Sequence, residues 1–323
     1  MEQGLQTASS VRSAPTVREK IEGAMWGLLV GDALGVPYEF HDPEMLPPRE
    51  ALEMTPPPGF MRAHRGTPVG TWSDDGALAL ALLDSLLERG KLDADDFGER
   101  LKRWYEEGAY AVDARVFDVG VATSRAIRTM MEGTRPALAG ETDERSNGNG
   151  SLMRVLPLAL FHQGDDAALV ADAHLQSVVT HGHPRSQACC ALYVLWARRV
   201  QAEAPDPWGE AVAVLRGLYG EDSVFRQELE QTVRPDDPSP GRGSGYVVDC
   251  LRSARWAVAQ GDYEAVVKSA LALGHDTDTT ACVAGGIAGL RDGIGAIPRR
   301  FLEAMRGKEI AEPLVARLVA RCG

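Results

Sequence analysis

Residues 274–290 read GHDTDTTACVAGGIAGL, in which carboxylates and hydroxyls stand directly before a run of small and aliphatic residues. The run from Ala281 to Leu290 is typical of a buried helix, and the polar group lies at its beginning. Asp and Thr side chains offer hard oxygen ligands, which suit Mg²⁺, Mn²⁺ or Ca²⁺ better than zinc. This stretch therefore predicts a buried helix with a candidate divalent-metal site at its start.

A second segment repeats the pattern far earlier in the chain. Residues 71–76 read TWSDDG and open the apolar run from Ala77 to Leu87. Asp, Ser and Thr are also favoured N-cap residues, so capping is the simpler interpretation of either segment alone. One cap satisfies one helix start, however, and adjacent extra carboxylates repel each other unless a cation neutralises them. Together the two segments favour a divalent-metal hydrolase site.

Charge and cysteine usage narrow the class of protein. The 323 residues include 34 Lys and Arg against 46 Asp and Glu, and the net charge of −12 argues against a nucleic-acid-binding surface. The five cysteines form no CxxC pair, as expected for free thiols in a reducing compartment, so we expect a cytoplasmic protein. No segment has the composition of a membrane span. Residues 1–16 are polar and lack a signal-peptide core, so we expect a disordered tail before a single domain over 17–323.

Helical periodicity dominates the remaining sequence, and alternating β-branched runs are scarce. We predict an all-α fold, a compact globule of many orthogonally packed helices. Two proline-rich stretches, 41–70 and 234–245, break the rhythm and are predicted to be loops that gate or shape a site, or solvated linkers. The predicted helices are 17–33, 77–88, 94–105, 119–132, 152–161, 167–179, 184–202, 207–218, 246–259, 263–273, 279–290 and 298–305.

Three further polar groups are candidate ligand contacts. Glu39 ends the segment GDALGVPYEF and lies among apolar residues, where an acid is rarely left unpaired, although a surface glutamate is an equally good interpretation. Residues 146–151, SNGNGS, precede a predicted helix and could present backbone N–H groups to a phosphate, or form a plain Asn/Gly turn. His181, in THGHP, could contact a ligand or cap a helix. No GxSxG nucleophile motif occurs, so metal-assisted attack by water is the more economical chemistry.

Seven segments, in a fixed order, carry a resemblance to a known family. Between about Ile21 and Pro298 the chain resembles the ADP-ribosylglycohydrolase family, typified by dinitrogenase reductase-activating glycohydrolase and the ADP-ribosyl-acceptor hydrolases. One segment alone is weak evidence, whereas seven in family order are specific. The segments are GDALGVPYEF (31–40), TWSDDG (71–76), FDVG (117–120), NGNGSLMR (147–154), THGHP (180–184), SGYVVD (244–249) and GHDTDTTACVAGGIAGL (274–290).

The resemblance implies an all-α fold with two Mg²⁺ or Mn²⁺ ions in a central dinuclear cleft. Glu39 would stand beside the metals as a ligand or as the acid/base. The implied catalytic residues are Glu39, Asp75 and Asp276. The implied metal ligands are Ser73, Asp74, Asp75, Asp276, Asp278 and Thr279. The residues implied to grip ADP-ribose are Asp118, Gly120, Ser146, Asn147, Gly148, Asn149, His181, Gly245 and Tyr246.

One departure from the family pattern concerns the adenine. Asn147 stands where some members have an aromatic ring, so Tyr246 is the substitute candidate for stacking.

The activity implied by the resemblance is hydrolysis of the bond from ribose C1″ to an acceptor, through an oxocarbenium-like transition state. Metals would orient the ribose hydroxyls, and the diphosphate can rest on helix N-termini and loop amides rather than on Lys or Arg. The expected partner of a monomeric enzyme is an ADP-ribosylated protein, modified on arginine, or an ADP-ribose-containing small molecule. Two alternatives stay open: hydrolysis of another ADP-ribose linkage, on serine, nucleic acid or an ester, and an immunity-type protein that neutralises an ADP-ribosylating toxin.

Overall fold

A computed structural model describes residues 14–237 and 240–323 of the chain. These residues form fourteen α-helices and no β-strand, which confirms the predicted all-α class. Two isolated β-bridges, Glu141 with His181 and Gly148 with Tyr246, join loops. The helices are α1 Val17–Gly35, α2 Asp74–Arg89, α3 Ala94–Glu107, α4 Val121–Met131, α5 Leu156–Phe161, α6 Asp166–Val178, α7 Pro184–Gln201, α8 Pro207–Leu218, α9 Val224–Gln227, α10 Val247–Val258, α11 Tyr263–Leu271, α12 Thr277–Asp292, α13 Arg299–Ala304 and α14 Lys308–Cys322.

Each of the twelve predicted helices overlaps an observed one, and the main error lies before α5. Residues 152–155 form turns, in which Leu152 N donates to Asn149 O and Val155 N donates to Leu152 O, so α5 begins only at Leu156. The predicted helix start directly after SNGNGS is therefore wrong. Two helical segments were not predicted: α9, which continues as a π-helix over Glu228–Val233, and α14.

The pairing of α1 with α12 lies at the centre of the fold. Glycines at every fourth position of α1 share one face, and a Cβ atom on any of them would overlap the backbone of α12. The two antiparallel helices therefore touch backbone to backbone, closer than side chains would allow. This contact places the start of α12 beside the end of α1, which leads to Glu39. The facing pairs are Gly23 with Gly289, Gly27 with Gly285, Gly31 with Ala281, and Gly35 with Asp278.

A buried carboxylate in α1 fixes the start of α2. Both Asp32 oxygens accept the backbone N–H of Ser73, at 2.9 and 3.1 Å, and Asp32 Oδ2 also accepts that of Gly76 at 2.7 Å. Thr279 Oγ1 of α12 donates to Asp75 Oδ2 of α2 at 3.3 Å. The beginnings of α2 and α12 therefore meet at the end of α1.

The predicted loop 41–70 is ordered by contacts with the helices. It contains two 3₁₀ turns, Pro43–Met45 and Arg49–Ala51, and Glu53 pairs with Arg300 at 3.0 Å and Lys268 at 2.8 Å.

None of the helices in the described part of the chain is long and apolar enough to cross a membrane. Of the predicted N-terminal tail, residues 1–13 lie outside the described residues, and Thr16 is the N-cap of α1 in a capping box with Glu19.

Candidate active site

Six carboxylates and one histidine form the central acidic cluster, which consists of Asp32, Glu39, His64, Asp75, Asp118, Asp276 and Asp278. One oxygen each from Asp32, Asp75 and Asp278 lie within 4.8 Å of one another. The same holds for Glu39, Asp276 and Asp278, and for Glu39, His64 and Asp118. Asp278 and Glu39 each belong to two groups, so the three groups adjoin.

Of the two N-cap residues at these helix starts, only Ser73 makes a side-chain capping bond. Ser73 is the N-cap of α2, and its hydroxyl accepts the backbone N–H of Asp75. Asp276 occupies the N-cap position of α12 but makes no side-chain capping bond. Its Oδ2 instead accepts the amide of Asn149 at 2.9 Å. The carboxylates therefore exceed what the two helix starts require.

Burial shifts the acidity of the cluster. It raises the pKa of Asp74, Asp75 and Asp278 well above the usual range, and neighbouring carboxylates raise these values further. Burial, followed by the charges of Asp118 and Asp276, raises the pKa of Glu39 to about 11. The folded protein therefore opposes a full set of negative charges here unless a cation compensates them.

The residues present fit a divalent cation. Asp75 Oδ1 and Asp278 Oδ2 are buried and have no hydrogen-bond partner within the described chain. Buried carboxylate oxygens seldom lack partners, so these two atoms are free to serve as ligands. Because the donors are mainly carboxylate oxygens, a hard ion of the Mg²⁺, Mn²⁺ or Ca²⁺ class fits better than zinc. The clustered acids can thus hold a metal.

A cavity of about 390 Å³ lies beside this cluster. Three predicted ligands, Ser73, Asp75 and Asp278, are buried behind its wall with side chains 0–3% exposed. The other predicted residues that line the cavity are Glu39, Asp74, Asp118, Gly120, Ser146, Gly148, Asn149, His181, Gly245, Asp276 and Thr279.

Backbone hydrogen bonds hold the loops around the cavity. Asn149 N donates to Gly245 O, and Val247 N donates to Asn147 O, each at 3.0 Å. Asp276 N donates to Gly243 O at 2.9 Å. Segments that are far apart in sequence therefore form one continuous rim.

Two predicted ligand contacts do not line the cavity. Asn147 is 3% exposed. Its amide nitrogen donates to Glu144 O, and its amide oxygen accepts the hydroxyl of Ser186. The ring of Tyr246 lies under the guanidinium of Arg185, 5.9 Å from the ring centroid. Neither side chain therefore lines this cavity, and their contact with the nucleotide stays a prediction.

Two arginines that sequence analysis did not select lie in the lining. Arg125 pairs with Glu141 at 3.4 Å, and Ser146 Oγ donates to Glu141 at 2.7 Å. Arg145 also lines the cavity. These two arginines were not predicted, because the chain is acidic overall and because their position depends on how α4 packs against the 141–150 loop.

Neutral polar groups form the wall between the loops. Burial lowers the pKa of His181 to about 3, with a smaller effect from Arg154, so its ring is neutral at physiological pH. The hydroxyl of Thr123 is buried, faces the cavity and has no partner among the described residues. A Cβ atom on Gly150 would lie 2.9 Å from His181 and 3.0 Å from Thr123, so glycine keeps this space open.

His64, which belongs to none of the predicted motifs, covers the carboxyl group of Glu39. Its Nε2 lies 2.6 Å from Glu39 Oε2 and 3.8 Å from Asp118 Oδ1. Burial, and then the charge of Arg115, lower the pKa of His64. The predicted loop 41–70 therefore shapes the site through this residue.

Comparison with known proteins agrees with this arrangement. Residues 13–323 match the sequence model of a family described as ADP-ribosylglycohydrolase. An ADP-ribosylarginine hydrolase from Serratia proteamaculans (strain 568) is 31% identical over 308 residues, which cover 93% of this chain and 79% of that protein. An ADP-ribosyl-dinitrogen reductase glycohydrolase from Rhodospirillum rubrum is 30% identical over 308 residues, which cover 91% and 92% of the two chains. A solved structure described as an ADP-ribosylglycohydrolase-related protein complex has a TM-score of 0.75 and 32% identity, over 95% of this chain and 99% of that one.

Proposed function

The chain belongs to the ADP-ribosylglycohydrolase family, and on that premise we propose that it is a metal-dependent hydrolase that releases ADP-ribose from arginine residues of modified proteins. The observation that supports this most strongly is the cavity wall itself. It combines a buried acidic cluster with two arginines and a glycine-rich loop, which are the groups that a ribose and a diphosphate need.

We propose that two Mg²⁺ or Mn²⁺ ions occupy the acidic cluster. The unpartnered oxygens of Asp75 and Asp278 support this proposal. The ions would supply positive charge that orients the ribose hydroxyls and makes a nearby water more acidic. The proposed ligands are Ser73, Asp74, Asp75, Asp276, Asp278 and Thr279.

Glu39 is the proposed acid/base. In hydrolysis the bond from ribose C1″ to the acceptor nitrogen breaks and that nitrogen takes a proton from Glu39, while a water oxygen bonds to C1″ and the water gives a proton to the Glu39 carboxylate left behind. A carboxyl group whose pKa is raised is protonated near neutral pH and can donate that proton. Asp75 and Asp276 complete the proposed catalytic set, because their carboxylates provide negative charge beside the sugar.

The remaining lining residues are proposed to hold the ADP portion. Gly148 and Gly150 offer backbone N–H groups to the diphosphate, and Asn149 holds the carboxylate of Asp276 in place through its side-chain amide. Arg125 and Arg145 add positive charge for the diphosphate, which the sequence had been expected to bind through helix N-termini and loop amides.

Arginine is the proposed acceptor because the Serratia relative, which covers most of this chain, is named an ADP-ribosylarginine hydrolase. Hydrolysis of a serine, nucleic-acid or ester linkage, and an immunity role against an ADP-ribosylating toxin, are the alternatives. The monomeric state and the cytoplasmic location stay predictions.

One assay tests the proposal directly. The purified protein with Mn²⁺ is incubated with arginine-, serine- and DNA-linked ADP-ribose, and free ADP-ribose is measured. We expect release from the arginine substrate, and loss of release when excess EDTA is followed by dialysis. Release from another linkage only would change the acceptor, and full activity after EDTA treatment would reject metal dependence.

A further inference from the structure

Phe40 follows Glu39 directly and combines two features that oppose folding. Its side chain is 69% exposed, and its backbone is left-handed, with φ 62°. A bulky residue in that region is strained, and an exposed ring gains little from burial. Strained conformations of this kind concentrate at functional sites. The position of this ring therefore indicates a role outside the fold.

The backbone of Phe40 is bonded to the segment before Asp276, and its ring contacts His64. Phe40 N donates to His275 O at 2.6 Å, and His275 N donates to His41 O at 2.7 Å, which ties this segment to the residue before Asp276. The ring centroid lies 5.5 Å from that of His64, whose Nε2 is 2.6 Å from the Glu39 carboxyl group. One side chain thus separates the exposed ring from the proposed acid/base.

On the proposed function, the lining residues assign each part of the substrate to one end of the cavity. Arg125 and Arg145 line the cavity and would offer positive charge to the diphosphate, whereas Glu39 and Asp276 would lie beside the reacting sugar carbon. With the diphosphate at the arginines, ribose C1″ and the acceptor bonded to it lie at the carboxylates. The acceptor must then leave past the residues that border Glu39.

We propose that Phe40 binds the acceptor, and that its exposed ring receives the planar guanidinium of the ADP-ribosylated arginine. This inference rests on the proposed function. The face of an aromatic ring attracts a planar cation, and a guanidinium suits it best among acceptor groups. The exposed carboxylate of Asp42, 3.6 Å from His275 Nδ1, adds negative charge on the same segment. Phe40 takes no part in bond cleavage and acts through substrate binding alone.

The test compares Phe40→Leu with Phe40→Trp. Leucine keeps an apolar side chain and the strained backbone but removes the aromatic face, whereas tryptophan keeps that face. For an ADP-ribosylated guanidine with Mn²⁺, we expect Phe40→Leu to lower kcat/KM about three- to tenfold, mainly through KM, and Phe40→Trp to stay near wild type. Val224→Ala, which trims an exposed apolar side chain on α9, is the control and should change nothing.

Binding of free ADP-ribose separates acceptor contact from a general defect. ADP-ribose lacks the acceptor, so its Kd should be the same for Phe40→Leu and wild type in calorimetry with Mn²⁺. An unchanged kcat/KM in Phe40→Leu, or an equal loss of ADP-ribose affinity, would overturn the role of Phe40 while the proposed function stands. A wild-type protein that leaves the guanidine substrate intact would instead refute the proposed function, and the guanidinium assignment with it.

Discussion

Asp32 shows how one buried carboxylate serves both the fold and the site. It accepts the backbone N–H groups of Ser73 and Gly76, and it also lies in one acidic group with Asp75 and Asp278. Burial raises the pKa of Asp32 to about 7, although its hydrogen bonds act to lower it. A carboxylate in the buried part of a helix needs such partners, and the sequence analysis did not select Asp32 because its partners lie about forty residues away in the chain.

Arg125 gives the first prediction at the level of single residues. We expect Arg125→Ala to weaken ADP-ribose binding about three- to tenfold, because one charge-assisted contact with the diphosphate is lost at an exposed position. The loss should shrink as salt is added, since exposed charges are screened. Calorimetry at two salt concentrations measures both effects.

Two comparisons keep this prediction specific. Adenosine has no diphosphate, so Arg125→Ala should leave its affinity unchanged. Arg317 pairs with Glu88 at 2.7 Å and is absent from the cavity lining, so Arg317→Ala should bind ADP-ribose normally. An equal loss for adenosine would place Arg125 near the base, and the diphosphate contact would be refuted.

The backbone contact between α1 and α12 gives a prediction at the level of helices. Gly285→Ala should lower the free energy of unfolding by about 2–3 kcal/mol, because the new methyl group would meet Gly27 O at 2.5 Å and the helices would have to separate. Gly217→Ala is the matched control in α8, where nothing lies within 4 Å. It should stabilise the protein by about 0.5–1 kcal/mol, as alanine favours a helix over glycine.

Urea unfolding of the two variants checks the prediction. A midpoint for Gly285→Ala equal to that of wild type would show that the two helices can move apart at little cost. In that case the glycines would not explain how the start of α12 reaches the end of α1.

The helices also show what the sequence could and could not predict. Periodicity identified the long amphipathic and buried helices well, because each is specified by its own residues. It missed α14, which has Pro313 inside and Gly307, without a capping side chain, at its N-cap. The glycine contact was missed for another reason: four-residue spacing shows that Gly23, Gly27 and Gly31 share a face but not which helix they meet.

At the scale of the whole molecule, the site depends on charges brought together from distant segments. The predicted motifs supplied most of the lining, since each follows from a local pattern of carboxylates or glycines. His64 and Glu141 could not be found in this way, because only packing brings them to Glu39 and Arg125. The proposed metal site would therefore link the stability of the protein to its metal affinity through the acidic cluster.

That linkage fixes the sign of a pH dependence. Burial raises the pKa of Asp118 to about 6 and that of Asp32 to about 7, from 3.8 in an unfolded chain. A carboxyl group with a raised pKa stabilises the fold at low pH, and this contribution is lost as pH rises through the folded value. His174 and His181 act oppositely: burial lowers their pKa to about 4 and about 3, so their contribution is complete only above pH 6.5. The pH dependence of Tm in EDTA alone therefore combines the opposite contributions of the carboxylates and the histidines.

The difference in Tm with and without Mn²⁺ isolates the carboxylates, because the histidine contributions cancel in it. Protons compete with the metal for carboxylate oxygens, so we expect Mn²⁺ to raise Tm more at about pH 7.5 than at about pH 5.5. Asp75→Asn removes one buried charge, and it should raise Tm in EDTA at the higher pH and abolish most of the Mn²⁺ shift. Differential scanning fluorimetry of both proteins at the two pH values measures this. A Mn²⁺ shift that is independent of pH, or that survives in Asp75→Asn, would mean that the metal binds outside the acidic cluster.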